Sequence, residues 1–156
     1  MKNNTLQQKT IMTPERKNVA LVAHDNMKPA LIEWAEKHKE KLIKHNLMAT
    51  GTTGNLMQKQ LNVPVKSLIS GPLGGDQQLG GLIAEGKIDV LIFFWDPFEP
   101  MPHDPDIKAL LRVAAVWNIP IACSVSSANF LVSSPLFAME FERQIPDYDK
   151  YLQERL

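Results

Sequence analysis

The sequence predicts an α/β fold. It reads as a single-domain three-layer sandwich with a central, mainly parallel five-stranded sheet, Rossmann-like in type. Three observations carry this. Short apolar runs alternate with amphipathic stretches about five times along the chain. Val90 to Trp95 is apolar without a break, as a strand covered on both faces must be. The length of 156 residues suits one domain, which at that size buries roughly 68–70% of its unfolded surface.

The elements follow in order. Residues 1–17 are polar (Asn3, Asn4, Gln7, Gln8, Lys9) and read as a frayed N-terminal tail ahead of a domain spanning 18–156. The first strand is Val19 to Ala23, ending in His24-Asp25. Met27, Leu31, Trp34, Ala35, His38 and Leu42 then recur at helical spacing, with Glu33, Glu36, Lys37, Glu40 and Lys41 on the other side. Pro29 falls in the first turn, where a missing N–H costs nothing. Leu47 to Thr50 is a second strand, running through Thr50-Gly51-Thr52-Thr53-Gly54 into a helix from about Asn55 to Gln60. Val65 to Ser70 is a third, followed by Gly71-Pro72-Leu73-Gly74-Gly75-Asp76 and a helix over Gln77 to Glu85, stopped by Gly86. After the fourth strand, Val90 to Trp95, comes a proline-rich loop (Pro97, Pro100, Pro102, Pro105). A helix then starts near Asp106, with Ile107, Leu110, Leu111 and Ala114 on one face. Ile119 to Cys123 is the fifth strand. Helices beginning near Ser126 and Tyr148 complete the chain.

Composition excludes several classes. Lys plus Arg and Asp plus Glu are both 17, so the basic excess of a nucleic-acid binder is missing. One cysteine, Cys123, allows neither an internal disulfide nor a thiolate cluster, and its apolar surroundings suggest a buried structural thiol. No stretch has the length of a membrane span or of a signal-peptide core. The expectation is a cytoplasmic protein.

In open parallel sheets, ligands bind beyond the carboxyl ends of the strands. Four predicted strand ends carry unusual residues: His24 and Asp25; Thr50 to Gly54; Ser70, Gly71 and Asp76; Asp96, His103, Asp104 and Asp106. A threonine-glycine turn before a helix supplies hydroxyls, N–H groups and the positive end of a helix dipole, which suits a phosphate. Thr50, Gly51, Thr52 and Thr53, with Ser70, Gly71 and the cation of Lys28, are the candidate cradle. Neither Gly-x-Gly-x-x-Gly nor a Walker-type run is present, so the cradle suits one small phosphate ester. Any single aspartate here is more often a cap or turn former, and Asp106 reads equally as an N-cap or as chemistry. Asp76 differs: it follows two glycines beside the phosphate site, where a carboxylate is repelled unless it does work such as proton abstraction. His38 and His45 read as surface or packing residues. His24 and His103 could join the aspartates at a metal, but no ligand spacing supports that, and hydrogen bonding to substrate is preferred.

These segments resemble the bacterial methylglyoxal synthases from about Asn18 to Leu156. The resemblance is carried by Val19-Ala20-Leu21-Val22-Ala23-His24-Asp25, Ala49-Thr50-Gly51-Thr52-Thr53-Gly54-Asn55-Leu56 and Ser70-Gly71-Pro72. It continues with Gly74-Gly75-Asp76-Gln77-Gln78, Val90 to Pro97 and Pro102-His103-Asp104-Pro105-Asp106. It implies a lyase that turns dihydroxyacetone phosphate into methylglyoxal and inorganic phosphate, without metal or organic cofactor. It implies Asp76 as catalytic base, with His103 and Asp106 also catalytic. Substrate contacts would come from His24, Lys28, Thr50 to Thr53, Ser70, Gly71 and His103, with Asp25 and Asp96 in support. It also implies inhibition by phosphate and a homohexamer, in which Arg155 reaches a neighbouring site and pairs with an acidic residue such as Asp25. The run Ser124-Val125-Ser126-Ser127-Ala128-Asn129 departs from the family's pattern. Two rivals stay open: an isomerase-like reaction on the same enediolate, and a non-catalytic metabolite-binding domain like those of carbamoyl phosphate synthetase.

Overall fold

A computed structural model describes residues 6–99 and 104–156. In chain order the elements are β1 (Gln8–Thr13), β2 (Asn18–Ala23), α1 (Lys28–Lys37), α2 (Lys39–Leu42), β3 (Asn46–Thr50), α3 (Thr53–Leu61) and β4 (Val65–Leu68). They continue with α4 (Gly75–Ala84), β5 (Val90–Phe94), α5 (Asp104–Val116), β6 (Ile121–Ala122), α6 (Val125–Ser133), β7 (Phe141–Pro146) and α7 (Tyr148–Gln153). Five strands form the expected parallel sheet in the order β4-β3-β2-β5-β6. Its register is set by pairs such as Val19 with both Leu47 and Val90, and Leu47 with Val65.

Strand alternation divides the core into two layers. Val19, Leu21 and Ala23 join Val90, Ile92 and Phe94 against Leu31, Trp34 and Ala35 of α1, Met57 and Leu61 of α3, and Ala128 and Val132 of α6. Ala20, Val22, Leu91 and Phe93 point the other way, onto Leu79 and Ile83 of α4 and Ile107, Leu110 and Ala114 of α5. Both faces are therefore covered, and this is why β2 and β5 read as unbroken apolar runs. Burying each large side chain of this kind contributes roughly 1.5–3 kcal/mol.

Several helix and strand limits move from the sequence reading, each for a local reason. The first helix is interrupted at His38 (φ −112°, ψ 19°), whose ring bonds Asn129 Oδ1 at 3.2 Å instead of continuing the apolar face. Trp34 Nε1 donates to the same oxygen at 3.0 Å, so Asn129 of the departing segment ties α6 to α1. Ser124 caps α6 through the Ser127 N–H at 3.3 Å. The fifth parallel strand shrinks to Ile121–Ala122. Helix α5 begins at Asp104, so Asp106 lies in the first turn and not at the cap.

The larger correction concerns the N-terminal segment. Residues read as a frayed tail include β1, which pairs antiparallel with β7 from Gln8–Pro146 to Thr13–Phe141. Only Thr13 of β1 is buried, so no alternation in the sequence announces the strand. Polar side chains hold the ribbon to the body. The Lys17 ammonium, 1% exposed, donates to Pro14 O (2.9 Å) and Met139 O (2.8 Å) and faces the Phe141 ring. Buried Arg143 donates to Thr13 Oγ1 (3.2 Å) and to the Trp117 carbonyl. Burial lowers the pKa of both cations from their ordinary values, against the pull of Asp89.

Candidate active site

The strand order reverses direction at β2: β3 and β4 lie on one side, β5 and β6 on the other. A crevice opens at such a switch point, at the carboxyl ends of the strands. Here the His24 N–H donates to Phe94 O at 3.2 Å, joining the ends of β2 and β5. A tight 3-10 turn, Asp25–Met27, leads at once into α1, with Pro29 in the first turn. Lys28 is thereby folded back. Its Nζ lies 2.8 Å from Asp25 Oδ1 and 3.0 Å from Thr52 Oγ1, which binds the loop after β2 to the loop after β3. The Lys28 bond and charge hold the Asp25 carboxyl below its usual range, although its side chain is 93% exposed.

The loop after β3 turns at Gly51, whose φ of +57° is a left-handed conformation that favours glycine. A Cβ there would stand 2.8 Å from Ser70 Oγ, so this glycine also lets two loops close on each other. The Gly51 N–H bonds Leu68 O at 3.0 Å. Thr52 occupies the N-cap of α3 without capping it, since its hydroxyl accepts from Lys28. The first N–H groups of α3 and its dipole thus face the loop cluster as an anion-binding end. Thr53 is fully buried at the first position of that helix and is not on the cleft wall; its hydroxyl has no partner among the described residues.

The double glycine explains Asp76. The chain leaves β4 through Ser70 and a 3-10 turn, Gly71–Leu73, and re-enters helix at Gly75, whose N–H donates to Ser70 O at 2.9 Å. A Cβ on Gly75 would stand 2.1 Å from Ile69 O, a distance no side chain tolerates. The first turn of α4 is therefore pressed onto the exit of β4. Asp76, in that turn, is 4% exposed and lines the cleft beside Gly71, where a Cβ would lie 3.6 Å from Asp76 Oδ1.

Asp96 follows β5. Its carboxylate accepts the Phe98 N–H (3.0 Å) and Asn26 Nδ2 (3.1 Å), and the Phe98 bond, then the Asn26 bond, hold it below the usual carboxylate range. Its own N–H donates to His24 Nδ1 at 3.3 Å.

These loops enclose a cleft of about 590 Å³, within the range of small-molecule sites. It gathers His24, Asp25, Lys28, Thr50, Gly51, Thr52, Ser70, Gly71, Asp76 and Asp96 from four strand ends. Asp106, on the first turn of α5, and Arg155, whose guanidinium lies 4.3 Å over the Tyr151 ring, are not on its wall. His103 falls outside the described residues. Asn26, Pro72 and Glu99 line the cleft without having been singled out in the sequence. For Asn26 the available signal was its place directly after His24-Asp25. Among the described residues, no group of three or more His, Cys, Asp or Glu is placed to hold a metal ion. Cys123 is half-buried away from the cleft, and burial raises its thiol pKa.

The fold and crevice define an MGS-like domain, and residues 30–123 match that family. The chain is 59% identical over 150 residues to the methylglyoxal synthase of Vibrio parahaemolyticus, covering 96% of this chain and 99% of that protein. It is 61% identical over 142 residues to that of Cellvibrio japonicus, covering 91% and 92%. A crystal structure of methylglyoxal synthase from Elizabethkingia anophelis superposes with a TM-score of 0.85 at 55% identity, covering 93% of this chain and 95% of that one. This chain belongs to the methylglyoxal synthase family.

Proposed function

We propose that the protein converts dihydroxyacetone phosphate to methylglyoxal and inorganic phosphate, as a carbon-oxygen lyase. The observation that carries this is one cleft in which Lys28, Thr52 and the start of α3, groups suited to a phosphate, stand with the buried carboxylate of Asp76. The cradle would bind the phosphoryl group, with Thr50, Gly51, Ser70 and Gly71 completing it. Asp76 would take a proton from the hydroxymethyl carbon beside the ketone, giving an enediolate. His103 and His24 are assigned as donors to the oxygens on which charge develops. Electrons then return from the enediolate, the C–O bond to phosphate breaks, and the cradle receives the leaving dianion. The enol left behind tautomerises to methylglyoxal.

Of the four carboxylates on the cleft wall, Asp25, Asp76, Asp96 and Glu99, Asp76 is chosen as the base for its buried place beside the cradle. Asp25 is paired with Lys28, and Asp96 is held by N–H donors; both are weakened as bases by those contacts. Asp76 is the one that the glycine pair pushes into the cleft. Asp106 is assigned a supporting catalytic role from the first turn of α5. The assay is direct: dihydroxyacetone phosphate is supplied, and methylglyoxal and phosphate are followed together. Equimolar appearance of both is expected. Glyceraldehyde 3-phosphate as the sole product would favour an isomerase, and binding without turnover a sensor domain.

A further inference from the structure

We propose that Asn26 is a positioning residue for the reaction of this cleft: through the Asp96 carboxylate it fixes the loop whose backbone N–H selects the Nε2–H tautomer of His24. This rests on the functional reading above. Asp96 receives bonds from its own loop, at Phe98 N–H (3.0 Å), and from the Asn26 carboxamide at 3.1 Å, which belongs to the loop after β2. The first bond only folds the loop after β5 on itself. The second reaches across the crevice and ties that loop to its neighbour. A return bond runs from Asp96 N–H to His24 Nδ1 at 3.3 Å, two residues before Asn26. The two loops are thus laced twice, once by a side-chain amide and once by a backbone amide.

The return bond has a chemical consequence. A neutral imidazole that accepts at Nδ1 carries its proton on Nε2. His24 is therefore held as a donor, suited to a substrate oxygen in the cleft. The edge contact of its ring with Phe93, at 5.4 Å and 81°, restricts the tilt of the ring. Without Asn26, the cross-crevice tie between Asp96 and the loop after β2 is lost. Asp96 is then tied to the loop after β2 only through its N–H bond to Nδ1, that long bond weakens, and both tautomers become populated. The Lys28–Thr52 bond lies on the other side of the turn and does not depend on Asn26.

The test uses the full-length protein and three versions: wild type, Asn26→Leu and Asn26→Gln. Imidazole nitrogen resonances are recorded at about pH 8.5, where an ordinary histidine is neutral, and His24 is assigned by its loss in a His24→Gln control. Wild type should show the single Nε2–H tautomer and Asn26→Leu a mixture. The kcat of Asn26→Leu should fall roughly 3- to 10-fold, the scale of one lost hydrogen bond, with inhibition by inorganic phosphate unchanged. Asn26→Gln, which keeps a carboxamide donor, should recover both tautomer and rate. An unchanged tautomer and kcat in Asn26→Leu overturns the proposal. So does a parallel loss of phosphate affinity, which would mark general disruption of the turn. Failure of wild type to form methylglyoxal would refute the functional reading, while the tautomer in the resting protein would still decide the role of Asn26.

Discussion

The carboxylates on the cleft wall differ in their surroundings. Asp25 holds Lys28, Asp96 holds two N–H donors, and Asp76 is buried at the foot of α4. Asp76→Asn keeps size and shape, so folding and phosphate binding should persist. Turnover should drop by roughly 10²–10⁴-fold, the usual cost of removing a general base. Exchange of the substrate C–H with solvent deuterium should fall with it. Exchange at the wild-type rate in Asp76→Asn would move the base to Asp106 or Asp25. At the far end of the sheet, His45 sets a different pH dependence. It is 4% exposed and accepts the Lys17 N–H at Nδ1 (3.0 Å). Burial, then the charges of Lys17, Arg16 and Lys44, push its pKa down to about 4 from 6.5. The unfolded chain therefore binds this proton first. The contribution is complete above pH 6.5 and is lost as pH falls through 4, reaching on the order of 3 kcal/mol. Urea midpoints should decline over that window, and His45→Gln should flatten the decline. An identical slope in the variant would rule His45 out as its source. Asp25 and Asp96, with depressed values, lose their contributions only at lower pH.

At the scale of elements, the turns that build the site were more legible than the edges of the fold. Threonine-glycine and double-glycine runs ahead of helices announced α3, α4 and the residues between them, because a close approach of backbone leaves a glycine in the sequence. Gly75→Ala tests this. With a Cβ 2.1 Å from Ile69 O, the first turn of α4 must retreat. We expect a loss of several kcal/mol, beyond the roughly 1–3 kcal/mol of ordinary overpacking, read by denaturant unfolding. Gly86→Ala, with nothing near its Cβ but a φ of +74°, should cost only the strain of its conformation, about 1 kcal/mol. Equal effects would show that a small shift of the first turn of α4 relieves the contact at Gly75. What the sequence did not disclose depends on partners far along the chain. The break at His38 is made by Asn129, and β1 is a strand only because β7 lies beside it. Neither leaves a local periodicity. Asn26 was missed for the same reason: its meaning lies in Asp96, across the crevice.

At the scale of the molecule, the cleft residues sit where the switch of strand order requires, at the carboxyl ends of β2, β3, β4 and β5. This much follows from βαβ order alone. Several large apolar side chains lie at the surface. Helix α7 buries none of its residues, and Tyr148 (57%), Phe130 (80%) and Leu136 (48%) are exposed. We expect a homo-oligomer, a hexamer by family resemblance, with Arg155 of one copy pairing with the exposed carboxylate of Asp25 on another. Light scattering at assay concentration should give the hexameric mass, and Arg155→Ala should reduce activity. A fully active monomer would refute both. The rate should also survive dialysis against a strong chelator; recovery only on adding one divalent ion would contradict the metal-free mechanism.

The ribbon of β1 and β7 carries one more consequence, for the order in which the chain can take shape. The cleft is drawn from the loops after β2, β3, β4 and β5, and the longest-range strand pairing behind it, Val19 with Val90, closes before β7 is reached. The ribbon joins Thr13 to Arg143 across 130 residues. Closing a loop of that length brings its entropy cost before any contact rewards it. On a ribosome, β1 leaves the exit before the strands of the sheet and has no partner until β7 is made. The crevice can thus assemble while β1 is still waiting. The polar, mostly exposed face of β1, which hid it in the sequence, is what keeps an unpaired strand from seeking other partners in that interval.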